Sequence, residues 1–140
     1  MKKSSFKVEQ IINASPNQAW EVIGAVSGVE KWLGPITACR IDGGKRFCTT
    51  EDGTFEEDIL KVDHHSKVLE YAIPSQHMIP VENIFGTMEV SQASDGKALI
   101  TWHWNFEVLP ENEEVAKNTF EMLGGMGLSG IDSLINQKAA

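Results

Sequence analysis

Hydrophobic positions recur along this chain with two different periods. Through the middle, apolar residues alternate with polar ones, and turn signals interrupt the alternation at strand-length intervals. Residues 36–41, 45–50, 54–62, 67–73, 81–91 and 99–109 read as strands. They are divided by Asp42-Gly43-Gly44, Glu51-Asp52-Gly53, Asp63-His64-His65-Ser66, a longer connection over 74–80, and Ala93-Ser94-Asp95-Gly96. From 110 to 138 the period becomes helical. At about 100° per residue, Ala116, Phe120, Leu123, Gly124, Gly127, Leu128, Ile131, Leu134 and Ile135 share one face. Glu111, Glu113 and Glu114 open this segment, where negative charge suits the positive end of a helix dipole.

Ahead of the alternating block, residues 5–13 read as a first strand. Ala14-Ser15-Pro16-Asn17 then signals a helix start, with Ser15 a candidate N-cap and Pro16 at the first helical position. Ala19, Trp20 and Ile23 form a short apolar stripe, and 29–33 make a second short helix stopped by Gly34-Pro35. The order is strand, two short helices, six strands, long helix. Consecutive hairpins make an antiparallel sheet, and the long helix must bury its stripe against it. The predicted class is α+β.

The final helix contains Gly124, Gly125, Gly127 and Gly130. Each costs about 1 kcal/mol relative to alanine in a helix interior. Such a cost points either to close packing against a neighbour or to space kept for a guest. Val115, Met122 and Met126 lie on a flank of the same helix. They are expected to pack under the short helices and the mouth loop; an exposed patch there would instead favour self-association.

At 140 residues the chain is expected to form one domain over 1–140, with a sizeable core. A net charge of −8 argues against nucleic acid as a partner, because phosphate contacts need a basic surface. No stretch approaches the roughly 20 apolar residues of a membrane span, and the expected location is cytoplasmic. Across the Gly43-Gly44 turn Cys39 should face Cys48 directly, and in a cytoplasmic chain a reduced pair is expected.

The order of elements, together with several short motifs, resembles the START-like (SRPBCC) superfamily, especially its polyketide cyclase/dehydrase-like members. The matching residues are Ala14-Ser15-Pro16 with Trp20, Trp32 before Gly34-Pro35, Gly43-Gly44 with Arg46, Asp52-Gly53, Glu57, Asp63, Tyr71, Thr101-Trp102 and the late helix. The resemblance implies a helix-grip fold: a curved seven-stranded antiparallel sheet wrapped around the C-terminal helix, with a cavity between them. It also implies a cavity mouth framed by Asp52, Gly53, His77, Met78 and Ile79. Met78 and Ile79 would then either form a lid or tuck into the core.

Strand alternation places Ile100, Trp102, Trp104, Phe106 and Val108 inward, unless a bulge in this strand turns His103 and Asn105 in instead. Between Phe55 and Ile59, Glu57 would point into the cavity as a ligand hook or an acid/base; the opposite parity would bury Leu60 and Val62. Arg46 is expected in a surface ion pair, with Glu57 or an acidic ligand group as the alternative partner. His64 and His65 are expected to be solvated in their turn. The histidine spacing shows no metal motif, and neither a metal nor a cofactor is expected.

The expected function is binding of a hydrophobic or aromatic small molecule, lipid- or polyketide-like, by a monomer or homodimer. Phe55, Glu57, Ile84, Met88, Trp102, Trp104, Phe106, Phe120, Leu123, Gly124, Gly127 and Leu128 would line the site. The alternative is a cyclase or dehydratase using Glu57 with His77 or His103 as the acid/base pair. A third reading, an interaction module without ligand, calls for a filled interior and an exposed Met122/Met126 patch.

Overall fold

A computed structural model describes residues 1–139. The chain runs β1 (Lys2–Ile12), α1 (Pro16–Ile23), a single helical turn (Val29–Lys31), β2 (Ala38–Asp42), β3 (Lys45–Thr50), β4 (Gly53–Asp63), β5 (Val68–Ile73), β6 (Glu82–Gln92), β7 (Ala98–Val108), a turn at Pro110–Asn112 and α2 (Glu113–Ala139). The strands form one antiparallel, curved sheet in the order β1-β7-β6-β5-β4-β3-β2. This is the helix-grip architecture. β1 begins earlier than its local pattern predicts because its ladder with β7 runs unbroken from Ile12↔Ala98 back to Lys2↔Val108.

Local chemistry sets the element ends. Ser15 accepts from the Gln18 backbone N–H while the Gln18 side chain accepts from the Ser15 N–H, a complete capping box. Gly43 takes a left-handed φ of 62° in the β2–β3 turn. In β4 the register slips between Ile59 and Lys61. The bulge leaves Leu60 exposed while Ile59 and Val62 pack against the core, so neither simple parity holds along the whole strand. No such slip occurs along β1–β7; the irregularity nearest it lies in β6, between Glu82 and Phe85. Ile100, Trp102, Trp104, Phe106 and Val108 therefore all face inward.

The core lies between the concave face of the sheet and α2. Gly124, Gly127 and Gly130 of α2 resolve towards close packing, and Gly125 faces open space. A Cβ at Gly124 would stand 2.8 Å from the Trp104 ring and 2.6 Å from Val8, and one at Gly127 would stand 2.8 Å from the Trp102 ring. The missing side chains are replaced by tryptophan.

Three expectations need correction. Cys39 and Cys48 face each other across the ladder and are joined in a disulfide rather than left as a reduced pair. Met122 and Met126 are 58% and 41% exposed, and Val115 is exposed beside them, so this flank is largely uncovered, with only Met126 approaching Gly34 after the short helical turn. The reason is geometric: the face bearing Phe120, Leu123 and Leu128 already meets the sheet, and these residues point away from it. His64 is not simply solvated, since its Nδ1 accepts a hydrogen bond from Trp20 Nε1 at 3.0 Å, tying α1 to the β4–β5 turn.

Candidate ligand-binding site

The interior chemistry is concentrated where β3, β4, β5 and β7 face the start of the short helical turn. β3 contributes Arg46 and β4 contributes Glu57, register partners across the ladder. Both are only 5% exposed. Arg46 Nε donates to Glu57 Oε1, and Arg46 Nη1 donates to the Val26 carbonyl at 2.7 Å. The expected surface pairing of Arg46 is thus overturned, because β3 is covered by the loop after α1. Val26 itself holds a left-handed φ of 67°, a strained conformation for a β-branched residue, and the Arg46 hydrogen bond helps hold it there.

Tyr71 on β5 completes the cluster. Its ring lies beneath the Arg46 guanidinium, 5.5 Å from ring centre to Cζ. Its oxygen accepts a hydrogen bond from Trp102 Nε1 at 2.9 Å. Burial, and then the neighbouring Glu57 charge, push the Tyr71 phenol well above its ordinary pKa, against smaller opposing effects of the Trp102 indole and Arg46. It is a fixed neutral hydroxyl. Beside it Trp102 and Trp104 lie with ring centres 4.7 Å apart, and Phe120 from α2 lies 4.8 Å from Trp104.

Two small cavities adjoin this cluster. One, of about 80 Å³, is bounded by Tyr71, Glu57, Phe55, Trp104, Phe120 and Met78 among others. The second, of about 40 Å³, reaches Arg46, Met88 and Trp32. Leu33, Ile36, Phe55, Glu57, Tyr71 and Trp102 border both. Of the residues expected to line the site, Phe55, Glu57, Ile84, Trp102, Trp104, Phe120 and Leu123 border the larger cavity and Met88 the smaller. Phe106, Gly124, Gly127 and Leu128 border neither; Phe106 stacks on Phe120, Leu128 is fully buried, and the glycines are packed against tryptophans.

Sequence reasoning missed Leu33, Ile36, Ile73 and Gln76 as lining residues, and Tyr71 as part of the polar wall. Tyr71 had a usable signal, because it alternates inward with Leu69 and Ile73 along β5.

The residues expected to frame a mouth lie where the β3–β4 turn meets the loop between β5 and β6; Met78 and Ile79 border the larger cavity, and Asp52, Gly53 and His77 border neither. His77 Nε2 and the Thr50 hydroxyl are 2.7 Å apart, joining the two, and Gly53 lies close beneath the His77 ring. Asp52 is exposed on the same turn, its N–H donating to Thr50 Oγ1. Gln76 pins the loop: its side-chain oxygen accepts from the Met78 and Ile79 N–H groups, and its amide donates to the Ile79 and Val81 carbonyls. Ile79 is buried and Met78 half-buried against the core, so these residues tuck in.

The proposed acid/base partners of Glu57 are not brought to it. His77 is exposed on the loop between β5 and β6, bonded to Thr50 with its ring edge-on to Phe55. His103 projects from the outer face of the sheet, where its register neighbours are Lys7 and Thr87. Among the described residues, no group of histidine, cysteine and carboxylate side chains could hold a metal ion, and no helix is long and apolar enough to cross a membrane.

The family model described as "Polyketide cyclase / dehydrase and lipid transport" matches residues 3–131. The chain belongs to that family. No curated protein matches it. Among solved structures, a putative uncharacterized protein from Bacillus thuringiensis is 22% identical, with 94% of this chain and 98% of that one covered and a TM-score of 0.85. The protein XoxI from Bacillus cereus is 24% identical over 100% and 99% of the two chains, with a TM-score of 0.83. The Zhui aromatase/cyclase from Streptomyces sp. R1128 is 14% identical over 99% and 97%, with a TM-score of 0.77. At these identities the likenesses establish the family's fold and leave the chemistry to the site.

Proposed function

We propose that the chain binds a small hydrophobic or aromatic molecule between the sheet and α2, without transforming it. The observation carrying this reading is an apolar, aromatic-walled interior with one compact polar cluster, Arg46–Glu57–Tyr71, set in it. Ligand sites are built that way: apolar walls for affinity and a few fixed polar groups for orientation. The family's description, polyketide cyclase/dehydrase and lipid transport, supports a guest of this class. The cyclase reading is weaker, because Glu57 is committed to Arg46 and neither His77 nor His103 reaches it.

The volume limits the guest. A cavity of about 80 Å³ is smaller than the about 150 Å³ in which benzene fits. A whole lipid or polyketide would have to displace Met78 and the Gln76-pinned loop. The test is native mass spectrometry of the protein purified from its own host, with tryptophan fluorescence followed during titration of small aromatics. A retained molecule, or saturable quenching of Trp102 and Trp104, is the expected result; an empty protein whose fluorescence does not respond would overturn the reading.

A second reading, an interaction module of the chaperone-associated kind, is favoured by the nearly filled interior and by exposed Val115, Met122 and Met126. It predicts that Met122→Glu with Met126→Glu abolishes a self- or partner association visible by sedimentation, in a protein that carries no ligand.

A further inference from the structure

The polar wall of the interior has one hydrogen-bond donor and one acceptor unspent. The Tyr71 oxygen accepts from Trp102 Nε1, but among the described residues no acceptor lies within reach of its own O–H. Glu57 Oε1 is taken by Arg46 Nε, while Glu57 Oε2 has no donor among the described residues. Both side chains border both cavities. A polar atom without its full set of partners in an apolar interior is unfavourable, and a guest that satisfies both recovers that cost.

We propose that Tyr71 and Glu57 form a subsite for the hydroxyl of a neutral, single-ring phenol. The inference rests on the binding reading above and names its ligand class. A hydroxyl is the small group that accepts from Tyr71 and donates to Glu57 Oε2 at once. A carboxylate would meet Glu57 with like charge, and an ammonium would have no lone pair for the Tyr71 proton. The ring then falls among Trp102, Trp104 and Phe120, tilted rings with centres 4.7 and 4.8 Å apart. Met78, a flexible side chain on the cavity wall, has to rotate to make the additional volume.

The experiment is a calorimetric titration of the full chain with toluene, p-cresol, 4-methylanisole and 4-methylbenzoate. The expected result is that p-cresol binds at least about tenfold more tightly than toluene, since hydrogen bonds to charged groups exceed neutral ones. 4-Methylanisole, which accepts but cannot donate, should fall well behind p-cresol, and 4-methylbenzoate should not bind. Tyr71→Phe should reduce the preference of p-cresol over toluene without erasing it, since the bond to Glu57 remains. The anisole comparison is made on the unaltered protein, so it decides the question even if that variant fails to fold. If p-cresol binds no more tightly than toluene, or if Tyr71→Phe leaves the preference undiminished, the hydroxyl subsite is wrong while the binding reading survives. If none of the four binds, the phenol subsite falls, and the binding reading then stands or falls on the molecule retained in native mass spectrometry.

Discussion

Tyr71 lies directly over Gly86, its partner across the β5–β6 ladder: a Cβ at Gly86 would stand 2.2 Å from the phenol carbon that bears the hydroxyl. The absent side chain lets Tyr71 lie across β6 and reach the Trp102 indole on β7. Gly86→Ala must therefore push the ring aside, although the backbone would accept alanine. The expected cost is that of overpacking, about 1–3 kcal/mol. Urea denaturation should show it, with a change in tryptophan emission as Trp102 loses its acceptor. A variant of unchanged stability and emission would mean that Tyr71 is free to move.

Arg46 and Glu57 should behave as a unit. Removing either partner leaves a buried charge alone, which costs about 3–5 kcal/mol. Arg46→Met also frees the Val26 carbonyl and its strained loop. Replacing both residues with methionine should recover most of the loss, because the desolvation of two charges disappears with their attraction. A double-mutant cycle by chemical denaturation measures the coupling. Additive single losses would contradict a shared, buried pair.

The fold was legible because two clean periods specify it, and because a capping box and glycine turns mark the boundaries. The inward set on β7 followed from alternation alone. What alternation does not encode is depth. It places Glu57 and Arg46 on the inner face, but whether that face is covered at β3 depends on the loop around Val26, far away in sequence. Likewise the face of Met122 and Met126 is readable, yet only the placement of α2 against the sheet shows that it is left largely exposed. The α2 glycines were ambiguous for a similar reason, since a glycine facing a tryptophan and one facing a void look alike in sequence.

Glu113 ties the first turn of α2 to the start of β1. Hydrogen bonds from the Ser4 hydroxyl at 2.5 Å and from Lys2 at 2.9 Å hold its pKa down to about 2. A carboxyl depressed in the folded state stabilises the fold above its ordinary pKa and loses that contribution as pH falls through the folded value. Melting temperature should therefore decline between about pH 4.5 and pH 2. Glu113→Gln should flatten that part of the profile and lower stability at neutral pH. If the variant's profile between these values matches the unaltered protein, the tether does not contribute.

The α2 glycines should separate sharply when each is changed to alanine. A Cβ at Gly125 would have no neighbour within 4 Å, so alanine there meets open space. The gain is the helix propensity difference, about 1 kcal/mol. Gly130 is the opposite case: a Cβ would stand 1.9 Å from the Trp32 carbonyl oxygen, and backbone cannot step aside as a flexible side chain can. Gly130→Ala must lift α2 away from the turn that carries Trp32, and with it the contact by which Trp32 meets Trp102 edge-on at 5.8 Å. Thermal melts of the two variants should move in opposite directions, Gly125→Ala upward and Gly130→Ala downward by the larger amount. Equal shifts would mean that helix propensity alone governs α2, and that its seat on the Trp32 turn is not a close contact.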